Sequence, residues 1–358
     1  VTYTITANAS SCLANSPYTV TVNPQPIVAF SIPPQTICSN NSTAQVDLTS
    51  STSGVNISWT ANVPIGITGA ATSGTTNIPS QILINSTFQP LTVTYTAQAT
   101  TTGVSCAGTN NTYTITVNPA PNLSATPLSD TICSTAQTNI LLSSTVSGAS
   151  FSWTVNNPPN ISGQSAGTGN NITQTLTNTG TSPQIVIYTI STNAASCPGQ
   201  TVSANVTIYP SPVIQFSIPN QTICSGFTTQ NVQITSSTPN TVISWTATIP
   251  PSITGATTSG ATTLPIQTLS NSSNTPQQVL YNVSATYGSC QGGTNTYTIT
   301  VNPTPHVINT DTLQSVCSNN LSTPIALTSD VANTTFTWNG TGSANLSGYQ
   351  TSGSSDTI

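Results

Sequence analysis

Few residues of this 358-residue chain could bind a metal, move a proton or form a cross-link: eight cysteines, one histidine and five aspartates, with no lysine, arginine or glutamate. The cysteines fall into two series. Cys38, Cys133, Cys224 and Cys317 are each followed by serine, while Cys12, Cys106, Cys197 and Cys290 alternate with them. No Cys-x-x-Cys occurs, so a zinc site is not indicated. Regularly spaced cysteines in an otherwise unreactive chain point to disulfides made outside the cytoplasm.

Acid–base catalysis usually needs two titratable groups within reach of one substrate, and one histidine with five scattered aspartates does not supply such pairs. His306 stands in a linker and has no counterpart at Gln25, Asn122 or Val213. Calcium asks for several oxygens in one cage, yet no two aspartates are close in sequence. No enzyme activity, metal or cofactor is expected. Lysine–asparagine isopeptide cross-links are impossible without lysine.

An average soluble chain is about a quarter charged; here charged residues are 1%. Binding to nucleic acid or to anionic membranes relies on Lys and Arg, so neither partner is expected. The longest apolar runs, such as Ile185-Val186-Ile187-Tyr188, are too short to insert in a bilayer. At 35% hydrophobic, however, the chain carries enough apolar surface to fold.

The elements that must position the cysteines come from an internal repeat. YTVTVNPQP at 18–26 returns as YTITVNPAP at 113–121 and YTITVNPTP at 297–305, and more loosely as VTIYPSP at 206–212. Each interval holds, in order, a Cys-Ser pair, a tryptophan, a Gly/Thr-rich stretch, an alternating strand, a second cysteine and the phrase. A period near 93 residues suits one small β-domain. The predicted organisation is 1–24 as the last strands of a preceding repeat, full repeats at 25–119, 120–210 and 211–303, and the first part of another at 304–358. A chain opening on Val1 in mid-pattern reads as a segment of something longer.

Period-2 alternation, as in YTITV, marks half-buried strands, and no stretch carries a capped helical period. The first repeat is predicted to hold strands A at 27–32, B at 44–50, C at 56–61, a weak pair across 65–80, E at 81–86, F at 91–100 and G at 112–118. The expected fold is all-β: a two-sheet sandwich in which Trp59, Trp153, Trp245 and Trp338 pack the core from strand C. Asn-Pro-x-Pro after strand G ends pairing and keeps the chain extended, giving a string of domains.

Sequence spacing alone would pair Cys38 with Cys106. Topology favours another arrangement. Cys38 in the A–B turn and Cys106 in the F–G turn sit at opposite ends of such a sandwich, roughly 20 Å apart, whereas a disulfide spans about 4.4–6.8 Å between Cα atoms. In a head-to-tail string the A–B end of one domain meets the F–G end of the next. The favoured bonds are therefore Cys38–Cys197 and Cys133–Cys290, with the within-repeat bond as the alternative. Cys12, Cys106, Cys224 and Cys317 would then find partners in further repeats or stay unpaired.

The unit ICSN…SWTA…SCAG…YTITVNPAP resembles the PKD-like and immunoglobulin-like repeats of giant Bacteroidota cell-surface proteins, including SprB-type gliding adhesins exported by type IX secretion. The W-x-F-G-D-G signature of true PKD domains is missing, since SWTA continues into ANVP. The resemblance implies an extracellular, cell-surface location. It also implies an O-glycosylation rule of Asp, then Ser or Thr, then an aliphatic residue, which makes Thr131, Thr312 and Thr357 candidates.

The leading expectation is a structural segment of a long extracellular filament or adhesin stalk, partnered by neighbouring repeats and by other copies in a fibre. An array that binds polysaccharide is the alternative, and a flat Thr array for ice or surfaces ranks third. Lacking Lys and Arg, the chain offers trypsin no site: it should stay intact with trypsin on an electrophoretic time course. Rapid loss to a nonspecific protease alone would show that composition, not fold, confers that resistance.

Overall fold

The computed structural model describes residues 1–104, 106–310 and 312–358. It is all-β, with no helix among the described residues. Three sandwiches follow one another. In the first, the larger sheet runs Gln35–Cys38, Asn111–Asn118, Leu91–Thr101, Val55–Asn62 and Ser73–Thr75 in spatial order, and faces a sheet of Asn77–Ile78, Val46–Ser50 and Val28–Phe30. The second and third sandwiches repeat both sheets with the same order.

Alternation builds the core. Along Leu91–Thr101, Val93, Tyr95, Ala97 and Ala99 are buried while the threonines between them face outward; Tyr113, Ile115 and Val117 do the same on the neighbouring strand. Each sandwich has its own apolar cluster, centred on Trp59, Trp153 and Trp245. These indoles are 3%, 7% and 2% exposed, and each Nε1 donates to a backbone carbonyl: Asn77 at 2.9 Å, Ser165 at 3.1 Å and Thr263 at 3.2 Å. Burying an indole with its N–H paired avoids the desolvation cost of an unsatisfied donor.

A polar keystone recurs beside each core. Asn85 donates through Nδ2 to the carbonyls of Val117 and Gln89, both at 2.8 Å. Asn178 does so to Ile208 and Ser182, and Asn271 to Val301 and Thr275, all at 2.9 Å. Each buried amide ties the turn after the smaller strands to strand G.

One element departs from the expected strand set. Gln35–Cys38, Ser129–Cys133 and Gln221–Cys224 are strands, not turns, and each pairs in parallel with strand G of its own repeat. These residues alternate weakly between buried and exposed, because they occupy a sheet edge next to Pro33-Pro34 or its equivalent, so their sequence carries no period-2 signal. Cys38 therefore closes a strand instead of lying in the A–B turn.

At the ends, Thr2–Ala9 and Cys12–Thr19 form an antiparallel hairpin, its residues exposed. In 304–358, Trp338–Asn339 pairs with Ser352–Gly353 and Trp338 is half-buried.

Each tryptophan lies beneath a glycine of the short strand beside it: Gly74, Gly167, Gly260 and Gly353. A Cβ on Gly167 would stand 2.7 Å from Trp153 Cζ2. Overpacking of this kind costs about 1–3 kcal/mol. Gly167→Ala should lower the unfolding free energy of the second repeat by that amount and its denaturation midpoint accordingly, read by Trp fluorescence; an unmoved midpoint would show that the indole slides without cost.

Candidate functional site: the bridged junctions between repeats

The parallel pairing carries the first cysteine series to the trailing end of each repeat. Cys38 lies opposite Asn118, Cys133 opposite Tyr209 and Cys224 opposite Asn302, each partner standing at the end of strand G. Ser39 N then donates to Asn118 O at 2.8 Å, and Ser134 N to Tyr209 O at 2.9 Å. The second series opens strand G at the leading end: Cys197 begins Cys197–Tyr209, and Cys290 is buried next to Tyr287.

Two disulfides join these ends across successive repeats. Cys38 bonds Cys197 and Cys133 bonds Cys290, with Cα–Cα separations of 5.4 Å in both. Cys12, Cys106, Cys224 and Cys317 are free thiols in this chain. Cys106 occupies in the first repeat the place that Cys197 has in the second, and Cys224 occupies in the third the place of Cys133.

Side chains fill the junctions differently. Between the first and second repeats a cleft of about 40 Å³ is lined by Phe88, Pro90, Pro119, Val146 and Ala194 among others. Between the second and third, Tyr209 meets Tyr287 edge to face with ring centroids 5.2 Å apart. Gly288 admits this approach: its φ is +56°, and a Cβ there would lie 2.7 Å from Tyr209 Cε2.

The linkers are fixed by a short pattern, Cys-x-Gly, at 106–108, 197–199 and 290–292. A Cβ at Gly108, Gly199 or Gly292 would overlap the carbonyl oxygen of Pro26, Pro121 or Pro212, the second proline of the preceding linker. The two amino acids that punctuate the joint thus pack on each other. Sequence reading singled out the prolines and cysteines and missed these glycines, although the spacing of two residues after each cysteine was there to be found.

The other candidate residues stand apart from the junction contacts. Thr131 and Thr357 are exposed, and Thr131 N donates to Asp130 Oδ1 at 2.8 Å. Thr312 is exposed, and its neighbour Asp311 lies outside the described residues. His306 is exposed, with Nδ1 at 3.1 Å from Asp330 Oδ2. The backbone N–H of His306, followed by its ring, holds the Asp330 carboxyl below its usual range; with the folded value depressed, this contact is complete at neutral pH and fades as pH falls through it. Burial pushes the Tyr188 hydroxyl up to about 12, consistent with a core donor to Gln174 Oε1 at 2.8 Å. No cluster of three His, Cys, Asp or Glu side chains forms among the described residues.

Tandem sandwiches of this topology, joined end to end, define a class of repeat proteins with immunoglobulin-like domains. The family model of the PKD-like domain matches residues 35–121, 130–212 and 221–305, and the chain belongs to that family. Each matched stretch takes in the parallel edge strand and runs through the linker prolines. No curated protein matches in sequence. Among solved structures, a variant of a three-immunoglobulin-domain segment of titin is 12% identical with a TM-score of 0.43, covering 79% of this chain and 100% of that one. Mouse cadherin-23 repeats EC22-24 are 14% identical with a TM-score of 0.37, covering 79% and 99%.

Gly199→Ala tests the linker contact. Gln200 N donates to Pro121 O at 3.2 Å, and displacing that carbonyl should raise amide exchange at Gln200 about tenfold, corresponding to about 1.4 kcal/mol of lost local protection. Unchanged exchange would mean that the carbonyl has room to move.

Proposed function

We propose that this chain is a structural segment of a long extracellular filament or adhesin stalk on a bacterial surface, serving reach and tensile strength rather than catalysis. One observation carries the reading: both disulfides bond one repeat to the next instead of closing within a repeat. A bond within a domain stabilises that domain; a bond across a junction fixes the geometry of an array. Disulfides of this kind persist in an oxidising compartment, which supports secretion.

The sequence resemblance to SprB-type Bacteroidota adhesins supplies the finer form of the proposal, a cell-surface repeat protein exported by type IX secretion, with Thr131, Thr312 and Thr357 as glycan acceptors. Three tryptophans sit in cores with their N–H groups paired. This favours a stalk over an array that stacks sugars on tryptophan.

Solution scattering tests the shape. A compact chain of this length would have a radius of gyration of about 21 Å, whereas three sandwiches in line, each crossed by strands of about 12 residues at roughly 3.3 Å, form a rod of about 120 Å with a radius of gyration of about 35 Å. A value near the compact one would end the stalk reading.

A further inference from the structure

The cysteine spacing holds a second regularity. Cys106 to Cys133, Cys197 to Cys224 and Cys290 to Cys317 are each 27 residues apart. The segment Cys197–Cys224 consists of strand G of the second repeat, the linker, and the strands Ile214–Phe216 and Gln221–Cys224 of the third. It crosses two whole repeats in nearly straight, mostly β-extended chain. Cys106–Cys133 crosses the first and second repeats in the same way.

We propose that the interlaced disulfides turn these segments into load-bearing cables and make the array inextensible. Tension entering strand Gln35–Cys38 passes through the Cys38–Cys197 bond into strand G of the second repeat, and on through the linker to Cys224. Tension in Cys106–Cys133 passes through the Cys133–Cys290 bond into the third repeat. Strands B to F lie off both routes.

Within the second repeat the two routes run side by side. Ser129–Cys133 pairs in parallel with Asn205 to Tyr209, so one cable is hydrogen-bonded along the other. The stagger is one repeat, and each repeat is spanned by strand G of one cable and the edge strand of the other. Free Cys106 and Cys224, placed as Cys197 and Cys133 are, would continue the pattern into a repeat on either side.

A 27-residue segment extends to at most about 97 Å, close to the length of the two sandwiches it already crosses. Unfolding a sandwich body therefore adds almost no length to a cable. An array of unbridged repeats would lengthen severalfold when its domains unfold.

The role as a tether rests on the stalk reading; the load path itself does not. Single-molecule stretching between thioether handles on the free thiols of Cys106 and Cys317, with Cys12→Ser and Cys224→Ser, reads it directly. With both bonds intact, the route between the handles is Cys106–Cys133 and then Cys290–Cys317, about 54 residues, and should stop extending at about 190 Å; with both reduced, the whole intervening chain should reach about 740 Å. Cys133→Ser with Cys290→Ser cuts this cable and should extend to about 660 Å, whereas Cys38→Ser with Cys197→Ser leaves it whole and should still stop at about 190 Å. Peptide mapping of the oxidised variants identifies the bond each has formed, so a misfolded variant is recognised and the lengths remain decisive. An oxidised chain that extends as far as the reduced one would overturn the proposal. A compact scattering profile would instead remove the stalk reading and leave the length difference in place.

Discussion

Everything at the junctions depends on the parallel pairing between a four- or five-residue edge strand and strand G. Its register sets Cys38 level with Asn118, the last residue before the linker proline. A slip of one residue would turn the cysteine to the opposite face of the sheet and away from Cys197. The register is held by side chains as well as by the ladder. Gln35 Nε2 donates to Ala44 O and to Tyr113 Oη, both at 3.1 Å, and Tyr113 Oη donates to Pro33 O at 2.8 Å. Gln221, Tyr297 and Pro219 repeat the arrangement in the third sandwich.

Such amide and hydroxyl contacts do the work that ion pairs do in most proteins. The sandwiches join polar groups through Asn85, Asn178 and Asn271, through the glutamines beneath Tyr95, Tyr188 and Tyr281, and through hydroxyls paired across strands. Neutral hydrogen bonds are not screened by salt as exposed charge pairs are. A chain with five acidic groups and no basic side chain except His306 has little left for pH or ionic strength to change.

The sheets were legible because strands such as Leu91–Thr101 alternate without interruption, and because the tryptophans recur in one register. The edge strand was not legible: Gln35–Cys38 buries little on either face, so hydrophobic periodicity has nothing to report. Its partner in strand G is about 80 residues away, and only the fold brings the two together. Glycines were underread for a related reason. Gly167 under Trp153 and Gly199 against Pro121 owe their identity to a neighbour distant in sequence, and a missing side chain leaves no pattern of its own. The keystone asparagines were hidden among many asparagines whose side chains face water.

The separation of 159 residues between Cys38 and Cys197 also imposes an order on biogenesis. Synthesised from its N-terminus, the chain carries Cys38 before its partner exists, while Cys106 follows much sooner and is the nearer thiol along the chain. Once the first sandwich is folded, its strand order holds Cys38 and Cys106 at opposite ends of strand G and keeps the nearer thiol out of reach. Domains fold as units as they emerge, so the correct link is chosen by timing and architecture together. Each new sandwich completes the bond to the one made before it, and the chain is welded one repeat behind its growing end.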